Sequence, residues 1–240
     1  MARPLVLLHG FTQTGRSWDA VRRELGGDVL APDLRGHGAA AERRPIDTGH
    51  LVADVLALAP ARFVLAGYSM GGRLALHVAL AAPQRVAGLA LVSTTAGIEP
   101  AAERAARRAA DDALADEIEA AGIEAFAARW AALPLWAGQP PAVRRAAHAQ
   151  GRRQDPAGLA ASLRGFGAGA MAPVWDRLGE LTMPAVVLAG ERDAKFRAIG
   201  ERLAAALPAA RLVVVPAAGH ALTLEAPGAV AAELAAMPGR

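Results

Sequence analysis

Short apolar runs recur along the chain at residues 5–8, 29–31, 63–66, 87–92, 185–189 and 212–215, separated by stretches long enough for a helix. A strand covered on both faces has no wet side to mark with polar residues, so unbroken apolar runs of this length predict a parallel sheet buried between helical layers. The stretches 17–25, 48–58, 70–81, 196–207 and 227–236 carry apolar residues at helical spacing and are the expected helices. Alternation of the two kinds predicts an α/β fold built on an open, mostly parallel, doubly wound sheet.

One region breaks the alternation. From about residue 97 to 177 no strand pattern occurs, only alanine-rich helical sequence cut by Pro134, Pro140, Pro141, Pro156 and Pro173. This segment is expected to be a helical cap inserted into a core formed by residues 1–96 and 178–240, although alanine-rich helices also serve as plain packing elements. Residues 134–141 should form a rigid loop, because proline fixes φ and ends helices on either side.

Composition narrows the picture without redirecting it. At 240 residues, 53% hydrophobic and 20% charged, the chain suits a single α/β domain with a full core. It has no cysteine, which removes disulfides and thiolate metal sites. The formal charge is +3 and Lys195 is the sole lysine, a bias toward arginine rather than a basic patch, and no basic run interleaved with aromatics points to nucleic acid. The first apolar run is far too short for a secretory segment or a membrane span, so a cytoplasmic location is expected.

Chemistry enters at Gly67-Tyr-Ser-Met-Gly-Gly72, between an expected strand and an expected helix. Small residues at 67 and 71 allow a turn tight enough to lift the Ser69 hydroxyl clear of the sheet, at the positive end of the following helix. A serine hydroxyl needs a histidine to become reactive, and the histidine needs an orienting carboxylate. His220 follows the last apolar run, and Asp193 follows the fifth, in Gly190-Glu-Arg-Asp. Asp193 also suits a helix cap, with Glu191 as the alternative carboxylate. The other histidines compete poorly, since His77 falls within a helix and His9 and His37 within glycine turns. Two N–H groups converging on one oxyanion are expected from Met70 and from Phe11, in His9-Gly-Phe-Thr12 after the first strand. Asp33-Leu-Arg-Gly-His-Gly38 reads as a structural loop beside the site.

The motifs Leu-His-Gly-Phe, Pro-Asp-Leu-Arg-Gly-His-Gly, Gly-Tyr-Ser-Met-Gly-Gly-Arg and Ala-Gly-His resemble the α/β-hydrolase superfamily along the whole chain. Four further stretches are narrower: Gly190-Glu-Arg-Asp-Ala-Lys-Phe196, Glu103-Arg-Ala-Ala-Arg-Arg108, Pro134-Leu-Trp-Ala-Gly-Gln-Pro140, and Leu163-Arg-Gly-Phe-Gly-Ala-Gly169 before Pro173-Val-Trp175. Together they resemble the 2-succinyl-6-hydroxy-2,4-cyclohexadiene-1-carboxylate synthase family of menaquinone biosynthesis. That resemblance implies an α/β-hydrolase fold and a cofactor-free carbon-oxygen lyase, in which a Ser69–His220–Asp193 triad removes a ring proton and pyruvate leaves. It implies a small polycarboxylate substrate, no membrane or nucleic-acid partner, and a monomer or weak dimer. Residue by residue it places substrate contacts on Tyr68, Arg73, Arg107 and Trp136. A third arginine of the family aligns with Gly151, and Arg152, rather than Arg153, is the nearest replacement. A carboxylesterase would use the same triad.

Overall fold

The computed structural model describes residues 3–136 and 138–238. Six strands, β1 (Leu5–Leu8), β2 (Val29–Leu30), β3 (Phe63–Tyr68), β4 (Val86–Val92), β5 (Ala185–Gly190) and β6 (Ala210–Val215), form one sheet in the order β2-β1-β3-β4-β5-β6. Every pairing between neighbouring strands is parallel. All six lie where apolar runs predicted them, with no end moved by more than two residues.

Because side chains alternate along a strand, consecutive apolar residues divide between two cores. Val6, Leu8, Phe63, Leu65, Leu89, Leu91 and Val187 face one side. There they meet Leu51 and Val55 of α2 (Thr48–Leu58), Leu74 and Val78 of α3 (Met70–Ala81), and Leu203 of α7 (Ala194–Ala206). Leu5, Leu7, Val64, Ala66, Ala90, Val92, Val186 and Leu188 face the other, against Val21 of α1 (Asp19–Leu25) and Val230 and Leu234 of α9 (Pro227–Ala235). Both faces are covered, which is why the strand sequences carry no polar alternation.

Strand order reverses between β1 and β3, with β2 outside one and β4 outside the other. In an open parallel sheet this is where loops leave in opposite directions and open a crevice at the strand C-termini. The loops after β1, β3, β5 and β6 carry residues 9–12, Ser69, Asp193 and His220.

Between β4 and β5 the described residues contain only helices and tight 3-10 turns. They include α4 (Ala101–Ala131), α5 (Pro141–Gly151) and α6 (Pro156–Phe166); α8 (Leu222–Glu225) follows His220. Ala115, Ile118 and Phe126 of α4 pack on Leu159, Ala160 and Leu163 of α6 in a third apolar cluster, which Phe11 joins from the β1 loop. Prolines start α5 and α6 instead of ending them, since the first turn needs no N–H from that residue. The sharp break inside α4 comes at Gly122, whose φ of 79° only glycine adopts cheaply. Of the loop expected at 134–141, Pro134–Trp136 form a single 3-10 turn and Ala137 lies outside the described residues. Among the described residues no helix is long and apolar enough to cross a membrane.

Candidate active site

Ser69 stands at the junction of β3 and α3 with φ 51° and ψ −108°, a conformation disfavoured for a residue with a side chain. The backbone around it holds that geometry. Ser69 N–H donates to the Val92 carbonyl at 2.9 Å, and its own carbonyl accepts from the Thr94 hydroxyl at 2.7 Å and from Gly72 and Arg73 N–H at 3.1 Å each. Glycine is obligatory at 71, where a Cβ would run into the Leu8 carbonyl.

His220 meets the serine across the crevice, with Nε2 3.3 Å from Ser69 Oγ. Its Nδ1 lies 2.6 Å from Asp193 Oδ2. A carboxylate oxygen accepts, so Nδ1 carries the proton and Nε2 presents a lone pair to the serine hydroxyl. Asp193 serves two structures at once, since its Oδ1 also caps α7 by accepting from Phe196 N–H at 3.2 Å. The capping role and the histidine contact are therefore not alternatives. Glu191 is spent elsewhere, accepting from Ala217 N–H at 2.8 Å.

The imidazole sits among aromatic rings, with Phe196, Tyr68 and Trp136 centroids at 4.4, 5.6 and 5.7 Å. The Tyr68 hydroxyl is buried without a hydrogen-bond partner among the described residues. Burial, with Glu225 and Asp193 adding negative charge nearby, pushes its ionisation well above the usual phenol range.

The β1 loop is held by its own histidine. Leu34 N–H donates to His9 Nε2 at 2.9 Å, so the His9 proton is on Nδ1, which donates to the Gly10 carbonyl at 2.8 Å. Gln13 N–H reaches the same carbonyl, and Gly10 N–H donates to the Gln13 side chain at 3.3 Å. Phe11 rides on this frame with its ring against His37, Phe126 and Trp130. Met70 N–H is the first of α3 and has no intrahelical acceptor.

His9 and His37, ring centroids 5.1 Å apart, are fully buried. Burial lowers the His9 pKa from 6.5 to about 4 and the His37 pKa to about 3, each staying neutral in the folded chain while the unfolded chain protonates near 6.5. Below pH 6.5 the unfolded state thus binds more protons, so stability holds above that pH and is lost as pH falls toward 4. Urea titrations should show the unfolding free energy falling by about 2–4 kcal/mol between pH 7 and pH 5, before carboxylates titrate. A flat profile over that interval would contradict the assignment of two neutral buried rings.

The expected arginines separate. Arg73 is 8% exposed and lies over the Phe166 ring at 5.1 Å, donating to the Phe166 carbonyl at 3.0 Å. Among the described residues it makes no ion pair. Burial and the nearby positive charge of Arg107 lower its pKa to about 10. Arg107 pairs at 2.8 Å with Asp111, a buried carboxylate that also accepts from Gly169 N–H. Asp111 is thus engaged by Arg107, and Arg73, one helical turn beyond Ser69, is left without a carboxylate partner among the described residues. Arg152, the expected third clamp, is exposed and pairs with Glu124 at 2.6 Å, while Gly151 and Gln154 of the same stretch are buried.

Gly151 lines a cavity of about 30 Å³ beside His220, walled by Phe11, Phe126, Trp130 and Trp136, with Arg144 and His148 on the same face of α5. Glu225 had no sequence signal to separate it from a surface helix residue, yet its side chain is 2% exposed. It accepts from the N–H groups of Gly219 at 2.8 Å and Ala221 at 3.0 Å, on either side of His220, and from Arg192 at 3.3 Å. Gln139 Nε2 adds a fourth contact at 3.3 Å from the segment between β4 and β5. Gln139 lies three residues after Trp136 in the same Pro134–Pro140 motif, where the resemblance marks only the tryptophan.

The alpha/beta hydrolase family model matches residues 5–233. A protein of Bacillus subtilis (strain 168), provisionally named as a 2-succinyl-6-hydroxy-2,4-cyclohexadiene-1-carboxylate synthase, is 37% identical, covering 93% of this chain and 85% of its own. The synthase of that name from Klebsiella pneumoniae subsp. pneumoniae is 34% identical over 96% of this chain and 92% of its own. Among solved structures, MenH from S. aureus superimposes with a TM-score of 0.90 at 31% identity, over 97% of this chain and 91% of that one.

Proposed function

The chain belongs to the alpha/beta hydrolase family and, within it, to the family of the 2-succinyl-6-hydroxy-2,4-cyclohexadiene-1-carboxylate synthases, and from that premise we propose that it is the corresponding lyase of menaquinone biosynthesis. Its substrate would be 2-succinyl-5-enolpyruvyl-6-hydroxy-3-cyclohexene-1-carboxylate, and no cofactor takes part. Ser69 Oγ, its own proton drawn toward His220 Nε2, removes a ring proton. The C–H electron pair forms a new ring double bond as the existing one shifts toward the carbon bearing the ether oxygen, the ring C–O bond breaks, and the enolate that leaves takes the proton held by His220 to become pyruvate. Asp193 holds the His220 tautomer, while the N–H groups of Phe11 and Met70 stabilise the enolate oxygen that develops during proton removal.

One observation favours this over simple ester hydrolysis: Arg73, a buried guanidinium without a carboxylate partner, one turn of helix from the reactive serine. Leaving a cation so buried is costly unless a ligand completes it, and a tricarboxylate supplies the missing anion. An ordinary ester has no use for it. Tyr68, Arg107 and Trp136 are assigned to the same substrate.

We assign residues 97–177 as a cap over this site, set on the core of residues 1–96 and 178–240. Phe126, Ala127, Trp130 and Trp136 of this segment wall the cavity against Phe11 and Ala221 of the core. A lactate-dehydrogenase-linked assay with the enolpyruvyl substrate tests the proposal. Rapid pyruvate release is expected; its absence, with a burst of nitrophenol from a p-nitrophenyl ester, would make the protein a carboxylesterase instead.

A further inference from the structure

Gln139 is 6% exposed, lines the cavity beside His220, and has an Oε1 that is buried without a hydrogen-bond partner among the described residues. The orientation of its carboxamide is set by chemistry. Its partner Glu225, a carboxylate that can only accept, already takes Arg192 and the N–H groups of Gly219 and Ala221, so the group facing it at 3.3 Å is the amide nitrogen. The opposite end is then an oxygen, able only to accept. Buried acceptors are nearly always satisfied, and the cost of leaving one empty marks a place for a donor.

We infer that Gln139 is a substrate-binding residue that recognises a hydroxyl group. The inference rests on the lyase reading, which supplies the ligand: at neutral pH the three carboxylates, the ketone and the ether oxygen of that substrate all accept, and the ring hydroxyl is its one O–H donor. Carboxylates fall to the arginines, and the hydroxyl falls to Gln139. Glu225 fixes the carboxamide from behind while holding the main chain on both sides of His220, so occupation of this contact also ties the segment carrying Trp136 to the histidine loop.

The test uses the Ser69→Ala protein, which binds without turning over, and reads binding by quenching of tryptophan fluorescence from Trp130 and Trp136. Affinities for the substrate and for its analogue lacking the ring hydroxyl are compared, then measured again with Gln139→Leu and, should that variant fold poorly, Gln139→Met. The hydroxyl is expected to improve affinity about tenfold or more when Gln139 is present and to make no difference when it is absent. Equal affinity for the two ligands, or loss of both by the same factor in the variants, would overturn the role of Gln139 and leave the lyase reading standing. If neither ligand binds, the lyase reading fails and this inference fails with it.

Discussion

Replacing Ser69 by alanine should lower pyruvate release by a factor of about 10⁴ or more while the protein stays folded. In the proposed lyase this hydroxyl accepts the ring proton, and His220 Nε2 lies 3.3 Å away to take up its own. Alanine removes that oxygen but not the backbone hydrogen bonds to Val92 and Thr94 that hold the φ of 51°. The turn should survive. Serine and histidine act as one unit, so His220→Ala should cost about as much, and the double variant little more than either alone. Steady-state kinetics on the three proteins, with circular dichroism as a folding control, decides it. A drop of less than about tenfold for Ser69→Ala would move proton abstraction to another group.

Arg73→Met should produce the second largest effect and, unusually, without loss of stability. Truncating one side of a buried, hydrogen-bonded charge pair costs about 2–5 kcal/mol of binding, or roughly 30-fold to 4000-fold in kcat/KM for the tricarboxylate. The free protein, however, carries Arg73 buried without an anion, held by the Phe166 carbonyl at 3.0 Å and by the ring beneath it. Exchanging such a charge for a flexible apolar side chain is often neutral or stabilising. Thermal unfolding of the variant should therefore occur at or above the wild-type temperature while kcat/KM collapses. The loss should be far smaller for a neutral p-nitrophenyl ester, which has no carboxylate to place. Equal losses on both substrates would make Arg73 a structural residue, and a large fall in stability would mean that its bond to Phe166 outweighs the burial of its charge.

What could be read from the amino-acid order alone was whatever depends on local pattern. Apolar runs without polar alternation located all six strands, because a doubly covered strand leaves no other signature. The glycines around Ser69 revealed the turn, since no other residue fits at 71. The chain order of Ser69, Asp193 and His220 identified the residues that meet, because each directly follows a strand and parallel strands deliver their C-termini to one edge. Contacts between loops far apart in sequence were not legible. Gln139 and Glu225 are 86 positions apart and touch only because the segment between β4 and β5 folds back over the histidine loop. Arg152 and Gly151 are neighbours, yet helix phase alone turned one to solvent and the other to the cavity. The resemblance marks Arg73 as a substrate contact, but its burial was not legible, because Phe166, which packs against it, lies 93 residues later. Strands, turn and triad order follow from steric rules each short segment obeys by itself, whereas burial, charge pairing and side-chain direction belong to packing, which no short segment determines.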